Sequence, residues 1–363
     1  MINKAHFPLV LIINQTTLKD LTLHNRPPIP LIITLTLTLV LGIIISAGMG
    51  YLAISPTEVA QIVWTKMTGG PLSSTLDPTF GYVVWDVRLP RILTAVLVGG
   101  SLAVAGVLFQ AILLNPLADP YTLGVSSGAA FGASLALLIN ISFISVYSVP
   151  LFAFCGAVAT LFIVLALASV DGRLGTNTLI LSGVIVAAIL SAGIGFIKHL
   201  ADEQVAVIIF WLMGSFASRT WPHVLLVLAA GTCGLLIAFY YGRDLNIMAL
   251  GQRSSDSLGV DTARTRKILL VVGSLVTAIC VSVSGIIGFI GLITPHLMRF
   301  IVGPDNRKLL PVSFLAGAIL LLGADTLTRA VLPSEVPIGV LTALIGGPFF
   351  CYIFRKKQLH GLS

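Results

Sequence analysis

Ten apolar stretches follow one another along this chain, most of them free of charge and roughly eighteen residues or longer, the length an α-helix needs to cross the hydrocarbon core of a bilayer. They lie near 31–53, 91–113, 122–140, 149–169, 178–200, 223–241, 268–290, 293–303 with its flanks, 309–332 and 337–354. The eighth is the weakest, because Pro295, His296 and Arg299 interrupt it; the chain is expected to break at Pro295, and this span to pack against protein rather than lipid. Composition excludes a soluble globule, since 363 residues that are 56% hydrophobic and 10% charged have too little polar surface to cover one. An outer-membrane barrel needs short segments of alternating polarity, whereas these runs are continuous. The expected fold is all-α and polytopic, about ten transmembrane helices in one domain over 31–357, preceded by an extension over 1–30.

That extension has a basic residue and a short apolar run, the outline of a signal peptide. It lacks a small-x-small cleavage site, and Lys19, Asp20 and Arg26 stand before the first full-length span, so it is expected to stay uncleaved and cytoplasmic. Ten spans put both termini on one side. The loops on that side hold fifteen of the 21 basic residues and the opposite loops six, so the positive-inside rule makes the termini cytoplasmic. The net charge of +7 is thus a matter of topology, and no nucleic-acid partner is needed to explain it.

Two stretches outside the spans are long enough to carry structure. Ser55-Pro56-Thr57-Glu58 predicts a short amphipathic helix to Trp64, with Ser55 as cap, Pro56 at the first helical position and Glu58 favoured by the helix dipole. Residues 243–267 form a polar loop on the cytoplasmic side, a candidate partner-docking surface. Most of the 35 glycines are expected to serve helix packing, because lipid offers no hydrophobic drive for helix association and close backbone approach must supply it. Cys155, Cys233, Cys280 and Cys351 sit in apolar runs without CxxC or Cys/His spacing, and are expected to be small buried residues rather than metal ligands or a disulfide framework.

The chain has no GxxxxGK[ST], HExxH or GxSxG, so no phosphate loop, zincin site or nucleophile elbow is expected. Intramembrane carboxylates are scarce: Asp325 near a span end is the main candidate, and Asp119 lies in a turn. Carriers driven by protons or sodium rely on buried ionisable groups, so a stand-alone secondary transporter is the weaker reading and an external energy source the stronger. His296 has no second ligand three or four residues away and reads as a structural histidine. Arg299 beside it reads as a carbonyl cap or an interface residue.

Several motifs then occur in register: RLPR at Arg88 to Arg91, NPLADP at Asn115 to Pro120, LGVSSGA at Leu123 to Ala129, GFIGLITPHLMR at Gly288 to Arg299 and EVPIGVLTALIGGPFF at Glu335 to Phe350. Together they resemble the iron-chelate and cobalamin permease family of bacterial type II ABC importers, from about Pro30 to Lys357. The resemblance implies a ten-helix subunit in the plasma (inner) membrane, paired as a homodimer or with a paralogue. Two cytoplasmic ATPase subunits would hold the ATP and magnesium, leaving this chain without a cofactor, a metal or an enzymatic role. An extracytoplasmic binding protein would deliver the cargo. Ferric siderophore is the favoured cargo because that role is the most widely shared in the family, with haem and cobalamin as alternatives.

The resemblance also assigns roles. Arg88, Arg91 and Arg329, which the topology puts outside, would pair with carboxylates of the binding protein; Asp325 lies one helical turn from Arg329 and is a competing partner. Arg253, Ser257, Leu258, Gly259 and Val260 would form the coupling segment to the ATPase, an apolar knob followed by a helix-ending glycine. The family usually carries acidic residues just after the first glycine of that loop, where this chain has Gln252 and Arg253. The fifth and tenth spans would border the central path, with Ser182, Ser191, Gly193 and Gly195 as its small, weakly polar lining.

Overall fold

The computed structural model describes residues 28–50, 52–70, 77–140, 147–170, 173–330 and 336–360. The first 27 residues, and with them nearly all of the expected cytoplasmic extension, lie outside the described residues. The elements are α1 (Ile29–Gly48), α2 (Pro56–Thr68), α3 (Pro78–Ile112), α4 (Val125–Leu138), α5 (Ser148–Ala168), β1 (Ser169–Val170), β2 (Arg173–Leu174), α6 (Thr176–Leu200), α7 (Val205–Leu212), α8 (Trp221–Tyr240), α9 (Gly242–Met248), α10 (Gln252–Ser257), α11 (Thr262–Ser284), α12 (Ile290–Val302), α13 (Asn306–Ala330) and α14 (Ile338–His360). Among the described residues, seven helices are long and apolar enough to cross a membrane, and the stretches Val125–Leu138, Ile290–Val302 and Ile338–Tyr352 are shorter apolar helices. Each of the ten expected spans coincides with one of these.

The helix α3 is the spine of the bundle. It is buried along nearly its whole apolar length, with α8, α11, α12 and α13 packed around it. Two backbone contacts set this closeness. A methyl group on Gly99 would run into the Gly317 carbonyl of α13, and one on Gly106 into the Gly291 carbonyl of α12. The second contact has a further cause: Pro295 has no N–H to offer the carbonyl four residues back, so the Gly291 oxygen is left to face Gly106. Nearby, Gln110 Nε2 donates to the Leu292 carbonyl at 3.1 Å, tying the same two helices together with a buried hydrogen bond.

Three features depart from expectation. The break expected at Pro295 falls instead at residues 285–289, where Gly285 (φ 72°) ends α11 and Phe289 (φ 70°) precedes α12; Pro295 stays inside α12, whose first half is buried. A proline deep in packed protein can leave one carbonyl to a neighbouring backbone, whereas a left-handed glycine ends a helix outright. The apolar segment 205–212, for which no element was expected, forms the short helix α7. Three of the cysteines expected to be buried, Cys155, Cys233 and Cys351, are exposed, and Cys280 is buried. The three exposed cysteines lie on open faces of apolar helices, a surface that sequence pattern does not separate from core.

The helix expected to start after Ser55 is present and runs to Thr68, one turn past the expected end at Trp64. Ser55 Oγ accepts from Glu58 N at 3.3 Å and Ser55 N donates to Glu58 Oε2 at 2.9 Å, a closed capping box. The Ser55 hydroxyl, and then its N–H, hold the Glu58 carboxyl below the ordinary carboxylate range. The box therefore supports α2 at neutral pH, and its contribution fades as pH falls through that lowered value.

Substituting Gly106 with Val forces α3 and α12 apart, at the upper end of the ~1–3 kcal/mol typical of overpacking or beyond. Gly288→Ala, where an added methyl meets nothing within 4 Å, should be neutral. Thermal unfolding of both purified variants in detergent checks the contrast.

Candidate functional site

Three places on the fold bring the candidate residues together. The first is where the start of α3 and the end of α13 meet the end of α1. Asp325 and Arg329 lie one turn apart on α13, and a π-helical turn over Val83–Arg88 aims Arg88 and Arg91 at them. The Asp325 carboxylate is fully buried; its Oδ1 accepts from Arg91 Nε at 2.9 Å, and its Oδ2 lies 3.9 Å from Arg329 Nε. Arg88 and Arg329 turn to backbone instead. Arg88 Nη1 donates to the Ala47 and Gly48 carbonyls (2.8 and 3.2 Å) and Nη2 to that of Leu52. Arg329 Nη2 donates to the Ser46 carbonyl at 2.8 Å and to Ser46 Oγ at 3.0 Å, and Nη1 to the Met49 carbonyl.

Helix α1 has no basic residue in its last turn, and these two guanidiniums fill that role from other helices. Arg88 and Arg91 are only 6% and 8% exposed. Sequence proximity suggested Asp325 and Arg329 as the pair, whereas the tighter contact is Arg91 to Asp325 across 234 positions. The capping of α1 has no local sequence signal at all.

The second place is the loop between α8 and α11. There α10 ends in a Schellman motif: Val260 N donates to Ser255 O at 3.0 Å and Gly259 N to Asp256 O at 3.1 Å, with Gly259 at φ 79°. Leu258 is left 60% exposed at the tip, Val260 is buried beneath it, and Arg253, Ser257 and Gly259 share the open surface. The base of the loop is tied down by Ser255 Oγ, fully buried and donating to the Gly251 and Ile247 carbonyls at 2.8 and 3.1 Å. A second tie went unseen in the sequence. Asn246 on α9 donates Nδ2 to Asp305 Oδ1 at 2.7 Å, while its Oδ1 accepts from the backbone N and Nδ2 of Asn306, both at 2.9 Å. The loop is thereby fastened to the turn between α12 and α13, a link that no local spacing in the sequence signals.

The third place is the non-helical junction between α11 and α12. Ser215 N donates to Ser284 O (2.8 Å), Ile338 N to Gly214 O (3.1 Å) and Gly339 N to Met213 O (2.9 Å), so three chain segments satisfy one another's backbone. Tyr121 of the NPLADP turn donates its hydroxyl to Ile287 O at 2.9 Å. The junction thus sets where α12 and α14 begin. On α6, Ser191 is exposed and Gly195 faces open space, whereas Ser182 is buried and Gly193 lies against the Phe131 ring. Two of the four expected path residues therefore share an open face.

Residues 38–356 match the model of the FecCD transport family. The chain is similar to the cobalamin import system permease protein BtuC of Halobacterium salinarum, 41% identical over 310 residues, covering 85% of this chain and 83% of that protein. It is also similar to the molybdate import system permease protein MolB of Haemophilus influenzae, 37% identical over 332 residues, covering 91% and 96%. Among solved structures, an ABC transporter of metal-chelate type in an inward-facing conformation superposes with a TM-score of 0.78 at 34% identity, covering 90% of this chain and 99% of that one.

Asp325→Ala leaves Arg91 buried against apolar helices without its carboxylate, and loss of one partner of a buried pair costs about 3–5 kcal/mol. Adding Arg91→Met should recover a large part of that loss. Thermal melts of the two variants measure it, and equal melting points would exclude the pair as a structural element.

Proposed function

The chain belongs to the FecCD transport family, and on that footing we propose that it is the permease of an ABC importer moving a metal chelate, a ferric siderophore first, into the cytoplasm. As a permease subunit of a multi-pass membrane type it is not itself an enzyme. The observation that carries the mechanical part of the reading is the exposed Leu258 knob on a capped, doubly anchored short helix. An apolar side chain held out in water on a rigid support suits a groove on another protein.

In this reading both termini and the 243–267 loop face the cytoplasm, in keeping with the distribution of basic residues. Two ATPase subunits, holding ATP and magnesium, grip the loops of two copies of this chain or of this chain and a paralogue. Their closure pushes on Leu258. The Asn246 clamp passes the displacement to the α12–α13 turn, and α12 leads directly to the junction that sets the start of α14. The open face of α6, with Ser191 and Gly195, supplies a weakly polar path that lets a bulky chelate pass without holding it.

The outer corner is proposed as the docking point for a binding protein. Arg88, Arg91 and Arg329 cluster around Asp325 at the end of α1, and in this reading their charge steers an acidic partner and sets association rate more than affinity. A docked carboxylate would take guanidinium hydrogen bonds now made to α1 carbonyls, so docking and the position of α1 are coupled in this reading. The support for chelate cargo comes from the relatives: a cobalamin permease and a transporter of metal-chelate type stand beside a molybdate permease.

The test is uptake by proteoliposomes holding this chain, its copurifying ATPase and the cognate binding protein, offered a ferric siderophore, haem, cobalamin or molybdate with ATP inside. ATP-dependent accumulation of one chelate is expected. Leu258→Asp should abolish ATPase copurification, and Asn246→Ala should keep the complex together yet lower cargo moved per ATP several-fold. Accumulation without ATP would instead mark a secondary carrier, and accumulation of molybdate alone would overturn the chelate assignment.

A further inference from the structure

Where α5 ends and α11 begins, the β1–β2 hairpin and α10 leave a cavity of about 780 Å³. Its floor is apolar, made by Leu114, Phe162, Leu165 and Val271, and at its polar end stand Arg266 and Lys267. Among the described residues that line it, none is acidic. The guanidinium of Arg266 is oriented by donation from Nη1 to the Leu174 carbonyl at 2.7 Å, while its Nε has no hydrogen-bond partner. Lys267 is exposed at the same end. Of these lining residues Phe162 is 61% exposed, and Ile163 and Leu167 beside it are exposed by half or more. The cavity therefore opens onto the exposed apolar flank of α5.

From this arrangement we infer that the cavity binds one anionic phospholipid of the cytoplasmic leaflet, its phosphate against Arg266 and Lys267 and an acyl chain along Phe162 and Leu165. The leaflet assignment rests on the orientation proposed above. Three physical points select this occupant. A lone soluble anion gains nothing from four apolar side chains, and an apolar ligand gains nothing from two cations with no acidic counterpart among the described lining residues. Only an amphiphile satisfies both ends of one cavity. Basic pockets between helices on the cytoplasmic side are suited to anionic headgroups, each nearby Lys or Arg adding to the attraction. The position also has a consequence, because Met248 and Gln252 of the coupling segment line the same cavity. A bound lipid would brace that segment from below.

The experiment uses the assembled importer in detergent, titrated with mixed micelles of phosphatidylglycerol or phosphatidylcholine, with inorganic phosphate as a third arm. Melting temperature and native mass spectrometry are read together. Phosphatidylglycerol should raise the melting temperature and appear at one lipid per chain, and the other two arms should do neither. Lys267→Gln should weaken the lipid about fivefold, and Arg266→Gln with Lys267→Gln about thirtyfold, as expected for one and two basic residues at a membrane surface. Arg266 also holds the hairpin, so Ala166→Phe is the independent variant: it fills the cavity without touching a charge and should abolish the lipid effect.

Equal stabilisation by both lipids, or a phosphatidylglycerol effect that survives the double charge variant or Ala166→Phe, would overturn the inference. So would full reproduction by inorganic phosphate, which would mark a simple anion site, or a crosslink placing the second copy in the cavity. ATP-driven uptake measured on the same preparation separates the two readings. Uptake without a lipid effect sinks only the lipid site, and a lipid effect without uptake sinks only the importer assignment.

Discussion

Hydrocarbon offers no partner to a backbone amide, so every place where this chain leaves the helix at depth must be paid for by another stretch of the same protein. That constraint explains the junction at residues 284–289 and much of what surrounds it. The Ser284 and Gly214 carbonyls, the Gly339 amide and the Tyr121 hydroxyl come from four distant parts of the sequence, and each makes a hydrogen bond with a non-helical segment. Close packing follows from the same need. Gly285 lies against the Trp211 carbonyl and Gly339 against the Met213 carbonyl, places where a side chain would separate the strands that must pair. Because α12 and α14 both start here, the geometry of the inner bundle depends on these few hydrogen bonds.

A second economy of the same kind operates where the end of α1 meets α3 and α13. The end of α1 presents carbonyls that no residue of α1 can satisfy, and two arginines from α3 and α13 cover them. Arg91 and Asp325 join those two helices directly with a buried ion pair. The corner therefore does two things with one set of charges: it completes a helix end and joins two helices. That duality bears on the proposed docking role, since a partner carboxylate and the α1 carbonyls compete for the same donors. At the opposite face the logic is reversed. There the polar side chains of Asn246, Asp305 and Asn306 fix a loop rigidly so that one apolar side chain, Leu258, can be held out in solvent.

Much of this was legible in the residues. The ten apolar helices and the Ser55–Glu58 cap follow from length and local backbone chemistry, and the knob at Leu258 with Gly259 behind it was implied by the family resemblance. What escaped was long-range. The position of the helix break was misread because proline is the usual local signal, and only the packing of α12 against α3 shows why Pro295 is tolerated. The α7 helix was missed because eight apolar residues are too few to span a membrane and have no amphipathic pattern to mark them. The Asn246 clamp joins residues 59 and 60 positions apart, and an asparagine in a polar loop has nothing to distinguish it before the chain is folded.

By itself the sequence determined that this chain is a helical membrane bundle and where along it the apolar helices lie, because each of these depends on the free energy of moving a local stretch between water and lipid. It also carried enough motifs in register to point to the family. Only the tertiary structure decided which carboxylate pairs with which arginine, where the backbone can leave the helix, and which faces of α5 and α6 remain open. Those outcomes depend on hydrogen bonds and close contacts between segments hundreds of residues apart, and no local property of a residue encodes the identity of a partner that the fold alone brings near.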